Sequence, residues 1–136
     1  MKRTALLNRH LSALVASLGH LDEIVIADAG LPVPDGVQVI DLAVTAGVPS
    51  FRELLAALRT ELVIEGAVWA EEASEHLSSE MQSELDLWSA ETGLGIGTSR
   101  LSHADFKQRT KFAKAVIRTG EVTPYANIIL ISGVAF

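Results

Sequence analysis

The 136-residue chain contains no cysteine, so it has no disulfide framework, no thiolate nucleophile and no cysteine-ligated zinc or iron–sulfur site. Basic residues are in the minority. Eleven Lys and Arg against seventeen Asp and Glu give a formal charge of −6 and a pI near 5.1, a poor surface for tracking phosphates, and nucleic acid is not expected as a partner. No stretch approaches the roughly 18 uninterrupted apolar residues of a transmembrane helix; even Ile128–Ile131 is bounded by Asn127 and Ser132. There is no internal repeat, low-complexity tract or linker rich in Pro, Gly and Ser, so a second domain has no place to begin. Met1-Lys2-Arg3 and Ala5-Leu6-Leu7 open like a secretion signal, but Asn8, Arg9 and His10 interrupt the apolar run early. The expectation is a soluble cytoplasmic protein with no membrane association. What the chain does have is apolar material: 49% of it is hydrophobic, enough for one domain over residues 1–136 that buries about two thirds of its unfolded surface without staples.

Leu11, Leu14, Val15 and Leu18 recur at helical spacing between Asn8, an N-cap, and Gly19, a stop. Ile24–Ala27 is a short apolar run that opens into the turn Asp28-Ala29-Gly30, and reads as a buried strand. Val37, Val39 and Ile40 suggest a second strand, and Ser50-Phe51-Arg52-Glu53 is a capping box ahead of Leu54, Leu55 and Leu58. Leu62–Ala70 reads as a strand with a bulge or a close contact at Gly66. A helix carrying Leu77, Met81, Leu85 and Trp88 is closed by Gly93, and a short strand follows near Ile96–Leu101. Ser102 caps a helix predicted to run through Phe106, Ala113, Val116 and Ile117 to Gly120, and Tyr125–Gly133 is predicted as the last strand. Strands alternating with helices predict an α/β fold, a three-layer α/β/α sandwich on a mostly parallel, mixed sheet. In such sheets ligands sit beyond the carboxyl ends of strands, which singles out Asp28.

Three segments place polar side chains at strand edges: Gly19-His20, Asp28–Pro32 and Pro124–Asn127. Each has a purely structural alternative. His20 can act as a partial helix C-cap, Asp28 as a turn-forming Asx side chain, and Tyr125 with Asn127 as a satisfied strand-edge pair. His20 follows a helix C-terminus, whose negative end favours a charged imidazole, while His103 opens a helix, whose positive end favours a neutral one. That contrast suits His20 to proton donation and His103 to neutral hydrogen bonding. Glu72 and His76 are four apart, but two ligands do not make a metal site, and no metal is expected. Gly93-x-Gly95-x-Gly97 lacks nucleotide-loop spacing. Glu71 and Glu72, read as adjacent strand residues, point to opposite faces and make poor paired carboxylates for glycoside hydrolysis.

In combination these blocks resemble the D-ribose pyranase family, which belongs with the L-fucose mutarotases. The matching residues are Leu18-Gly19-His20, Asp28–Pro34, Gly47–Phe51, Ala70-Glu71-Glu72, Ser102-His103 with Phe106-Lys107-Gln108, and Ala115–Glu121 running into Pro124–Leu130. The segment from about Ser74 to Leu101 matches only loosely. The resemblance implies a cofactor-free isomerase that interconverts the pyranose and furanose rings of D-ribose, beside a ribose transporter and a ribokinase. It implies His20 as proton donor, with Asp28, His103, Tyr125 and Asn127 binding the sugar. It also implies ring-shaped homo-oligomers, commonly decamers of two pentamers, with sites at subunit boundaries. Gly30-Leu31 and Ala126 look like the ribose branch, since fucose mutarotases tend to carry Asn-Phe and Gly there. Two further readings stand beside this one: a mutarotase of L-fucose or another sugar, and a ribose-binding module without turnover.

Overall fold

The computed structural model describes all residues 1–136. In chain order the elements are α1 (Arg9–Ser17), β1 (Glu23–Ala27), β2 (Gln38–Asp41), α2 (Phe51–Arg59), β3 (Ile64–Ala70), α3 (Glu75–Thr92), β4 (Gly97–Leu101), α4 (His103–Arg109) with a 3-10 turn at Thr110–Phe112, β5 (Ala115–Arg118) and β6 (Ile128–Ser132). The helix starts follow from the capping side chains. Asn8 accepts from the amides of His10 and Leu11, Ser50 and Glu53 form the reciprocal capping box, and Ser74 and Ser102 accept from Leu77 and Asp105. Gly93, at φ 73°, closes α3 in the left-handed conformation that glycine adopts freely.

The six strands form one sheet in the order β2-β5-β1-β6-β3-β4. Pairs β2·β5, β5·β1 and β3·β4 are parallel, and β6 runs antiparallel to both β1 and β3. One face carries Leu11, Leu55, Leu58, Met81, Leu85 and Trp88 from α1, α2 and α3 against Ile24, Ile26, Trp69, Ile117 and Leu130. The other face packs Phe106 of α4 and Leu31 on Val25, Val68, Val116 and Ile129. The result is the three-layer mixed α/β architecture expected from the sequence, with most of its helical mass on one side.

Three boundaries differ from the sequence reading. The helix that begins at Ser102 ends at Arg109 rather than Gly120, and Ala115–Arg118 is a central strand. Val116 and Ile117 satisfy helical spacing from Phe106, but they face opposite layers, Val116 toward α4 and Ile117 toward α1–α3. A short apolar run buried on both faces carries no period that separates helix from strand. The last strand starts at Ile128 instead of Tyr125, because Tyr125 has φ 64° and the Asn127 amide bonds back to its carbonyl at 2.7 Å. Helix α1 ends at Ser17, and the left-handed residue beyond it is Leu21, φ 67°, rather than Gly19. The expected irregularity at Gly66 is present. The β3·β6 register shifts between Ile64 and Gly66, and a Cβ at Gly66 would lie 2.9 Å from Ile131 Cδ1.

The loop after β5 is bonded to the rest of the fold at two points. Gly120 donates to Pro49 O at 2.9 Å and accepts from the Gly47 amide at 2.6 Å, and a Cβ there would overlap the carbonyl oxygens of Thr45 and Val48. Glu121 accepts from the Phe51 amide that opens α2 and from the Val122 amide, the Thr123 amide and the Thr123 hydroxyl. Partial burial acts to raise the pKa of this carboxyl, but the Thr123, Phe51 and Val122 donors outweigh it and hold the value below the usual carboxylate range.

Two outcomes follow for stability. Gly120→Ala should lower the urea midpoint by an amount equivalent to about 1–3 kcal/mol, the range for overpacking, because its neighbours are backbone atoms that cannot rotate away; an unchanged midpoint would contradict this contact. Glu121 has a depressed folded-state pKa, so its stabilisation is present above the unfolded value and lost as pH falls through the folded one. Between roughly pH 6 and pH 3 the stability of Glu121→Gln should therefore decline less steeply than that of the unmodified protein, and parallel pH profiles would disprove the linkage.

Candidate active site

Because β6 is antiparallel, the residues that precede it lie at the same rim of the sheet as the residues that follow β1, β3 and β4. Asp28 comes off the end of β1, Tyr125 and Asn127 lead into β6, and His103 follows β4 by two residues. Asp28, His103, Tyr125 and Asn127 line one open cavity of about 240 Å³, with Pro32 and Pro124 at its margin. That is below the roughly 300–1,000 Å³ of drug-sized pockets and suits a small polar molecule.

Asp28 and Asn127 are held by a reciprocal pair of bonds. The Asp28 amide donates to Asn127 Oδ1 at 2.8 Å, and Asn127 Nδ2 donates to Asp28 Oδ2 at 3.0 Å. Asn127 is buried, so these bonds compensate its loss of water. Asp28 Oδ1 accepts from the Gly30 amide at 2.9 Å, the Asx turn that the sequence allowed as the alternative reading. The carboxylate keeps acceptor capacity for a ligand hydroxyl, and one N–H of Asn127 remains free to donate. The loop is pinned from behind: Ala29 donates to Glu121 O and accepts from Arg118 Nε, and Thr119 Oγ1 donates to Ala27 O.

His103 lies in the first turn of α4. Its ring meets Tyr125 edge-on at 5.1 Å and stacks over Phe106 at 6.4 Å. Its backbone amide donates to both carboxylate oxygens of Glu72, at 2.9 and 3.1 Å. That bond, and then the Glu72 amide, hold the Glu72 carboxyl below its ordinary pKa. Glu71 and Glu72 form a turn after β3 rather than adjacent strand positions. His76 pairs instead with Glu80, at 3.4 Å.

The structure separates His20 from the other four. His20 precedes β1, at the opposite rim, and the five residues of that strand span roughly 16 Å. It sits in a turn in which the Asp22 amide bonds Gly19 O and the Gly19 amide bonds Asp22 Oδ2 at 2.8 Å. The C-cap of α1 is Leu18, and the His20 side chain bonds elsewhere, its Nε2 lying 2.9 Å from Glu65 Oε2. Glu65 is the extra residue at the β3 irregularity, and an unpaired residue at a bulge re-aims its side chain. Sequence reasoning missed Glu65 as a partner of His20. The only available signal was the polar residue flanking Gly66 in an otherwise apolar strand.

The chain matches the family described as the RbsD / FucU transport protein family over residues 1–135. A protein of Vibrio vulnificus named D-ribose pyranase is 53% identical over the whole of both chains, and one of the same name from Halalkalibacterium halodurans is 49% identical, again over the whole of both. The structure of Bacillus subtilis RbsD complexed with D-ribose superposes with a TM-score of 0.88 at 45% identity, covering all of both chains. The fucose mutarotase of Streptococcus pneumoniae, solved with L-fucose, gives 0.75 at 25% identity over 93% of each chain. Matched from end to end by these relatives and by the family pattern, the chain belongs to the RbsD / FucU transport protein family.

Proposed function

We propose that this chain is a D-ribose ring isomerase that interconverts the pyranose and furanose forms. The observation that carries this reading is the convergence of Asp28, Asn127, Tyr125 and His103 on one small polar cavity, in a fold that superposes on RbsD solved with D-ribose. The greater similarity to proteins named D-ribose pyranase than to the fucose mutarotase favours ribose over fucose.

The reaction opens and recloses a hemiacetal. A proton is delivered to the ring oxygen as its bond to the anomeric carbon breaks, and the anomeric hydroxyl loses one. The open aldehyde then recloses through the neighbouring hydroxyl, so nothing is oxidised or reduced and no cofactor is needed. His20 serves as the proton donor, oriented by Glu65. Asp28 accepts from sugar hydroxyls, Asn127 and His103 donate to them, and Tyr125 contributes its phenol.

His20 and Asp28 lie at opposite rims of the same chain, so one copy cannot bring both to one sugar. The site is therefore completed by a second copy, with the His20–Glu65 rim of one subunit facing the Asp28–Asn127 rim of the next. A homodecamer of two five-membered rings, as the resemblance implies, is our reading of the assembly, and the cytoplasm is where it acts.

NMR saturation transfer between pyranose and furanose anomeric signals should show faster exchange with the protein, with L-fucose anomers as a parallel sample. Ribose-dependent shifts without faster exchange would leave only a binding module. His20→Ala should lose about a hundredfold or more in exchange rate while still binding ribose; an unchanged rate removes His20 from the mechanism. His20→Ala and Asp28→Ala, each inactive alone, should regain up to about a quarter of the normal activity when dissociated and reassembled together, as random pairing of complementary subunits restores intact sites. No recovery would reject the shared site.

A further inference from the structure

Glu72 does not line the cavity, yet it is bonded to a residue that does. Its carboxylate takes the amide N–H of His103 with both oxygens, while Ser102 takes the Asp105 amide. The sheet sets this juxtaposition. Ala70 and Leu101 are register partners at the ends of two parallel strands, and the Glu71 amide bonds Leu101 O at 2.8 Å. Immediately beyond, carboxylate and amide meet, so a charge-assisted bond anchors the start of α4 to the end of β3.

The anchored ring has little freedom. It is held between the edge contact with Tyr125 and the stack on Phe106. Its Nδ1 is sealed from solvent without a hydrogen-bond partner, which leaves Nε2 to meet a ligand. An orphaned buried N–H is rarer than an unpaired acceptor, and the positive end of α4 favours a lone pair there over a proton. Both considerations put the proton of the neutral ring on Nε2.

We propose that Glu72 is a positioning residue for sugar recognition: through the His103 amide it holds the imidazole against Tyr125, so that Nε2–H donates to a sugar hydroxyl. The inference rests on the sugar-site reading above and adds to it a residue that never touches the sugar. It also divides the labour of the two histidines, with His103 binding and His20 moving the proton.

Glu72→Gln keeps an oxygen able to accept the amide N–H, and Glu72→Ala does not. In the exchange assay Glu72→Ala should raise KM for ribose about tenfold with kcat within about twofold, while Glu72→Gln stays within about threefold of the unmodified protein. In a His103→Ala background Glu72→Ala should add no further loss, because residues acting as a unit are not additive. Long-range ¹H–¹⁵N correlation on the unmodified protein should find the His103 proton on Nε2, a readout that needs neither turnover nor a folded variant. Additive losses, a Glu72→Gln as damaging as Glu72→Ala, a fall in kcat at unchanged KM, or a proton on Nδ1 each overturn the assignment. If the unmodified protein neither binds nor converts ribose, the sugar-site reading fails first and takes this role with it, an outcome seen before any variant is made.

Discussion

Strand β6 runs against both of its neighbours, and the placement of the polar residues depends on that reversal. Its antiparallel ladders to β1 and β3 bring the start of β6 beside the carboxyl ends of the other strands. A parallel β6 would carry Tyr125 and Asn127 to the far rim. With the reversal, Asn127 reaches Asp28 across 99 residues of sequence and bonds both its amide and its carboxylate. Those bonds compensate a buried amide side chain, so the polar cluster and the central sheet support each other.

The same sheet that gathers four residues keeps His20 apart. His20 and Glu65 meet at the other rim because the end of β6 and the start of β3 lie beside the turn before β1; Leu21 and Ser132 share a hydrogen bond there. The β3 irregularity contributes directly. With Gly66 pressed on Ile131, the register shifts, and Glu65 is left free of the ladder to face the imidazole. The rigid sheet between the two rims keeps the His20–Glu65 pair apart from the Asp28–Asn127 cluster within one copy of the chain.

Carboxylates hold the cavity rim mainly through backbone amides rather than through ion pairs. Asp28 takes the Gly30 amide, Glu72 that of His103, and Glu121 those of Phe51, Val122 and Thr123. Amides at the start of a helix or in a tight turn have no partner within their own element, and an ionised acid satisfies them strongly. Loops outside the sheet and helices thereby gain a fixed geometry. The acidic balance of the sequence is in part the expression of this design.

Much of the fold was legible in local chemistry. Ser50 with Glu53, Asn8 and Ser102 act on amides two or three residues away, so their helices start where the sequence places them. The lack of a side chain alone marks Gly66 as an irregular strand position. Ala115–Arg118 does not read as a strand because burial on both faces erases the alternation that distinguishes one, and that burial exists only once β2 and β1 lie on either side. The five polar residues were identifiable by type and by resemblance, but their division between two rims was not, since strand direction is set by hydrogen bonds between segments far apart in sequence. The pairings of Glu65 with His20 and of Glu72 with the His103 amide likewise cross 45 and 31 residues. Local sequence therefore determined where most elements begin and which residue types could bind a sugar; only the tertiary structure decided which of them share a rim, because that depends on non-local strand pairing.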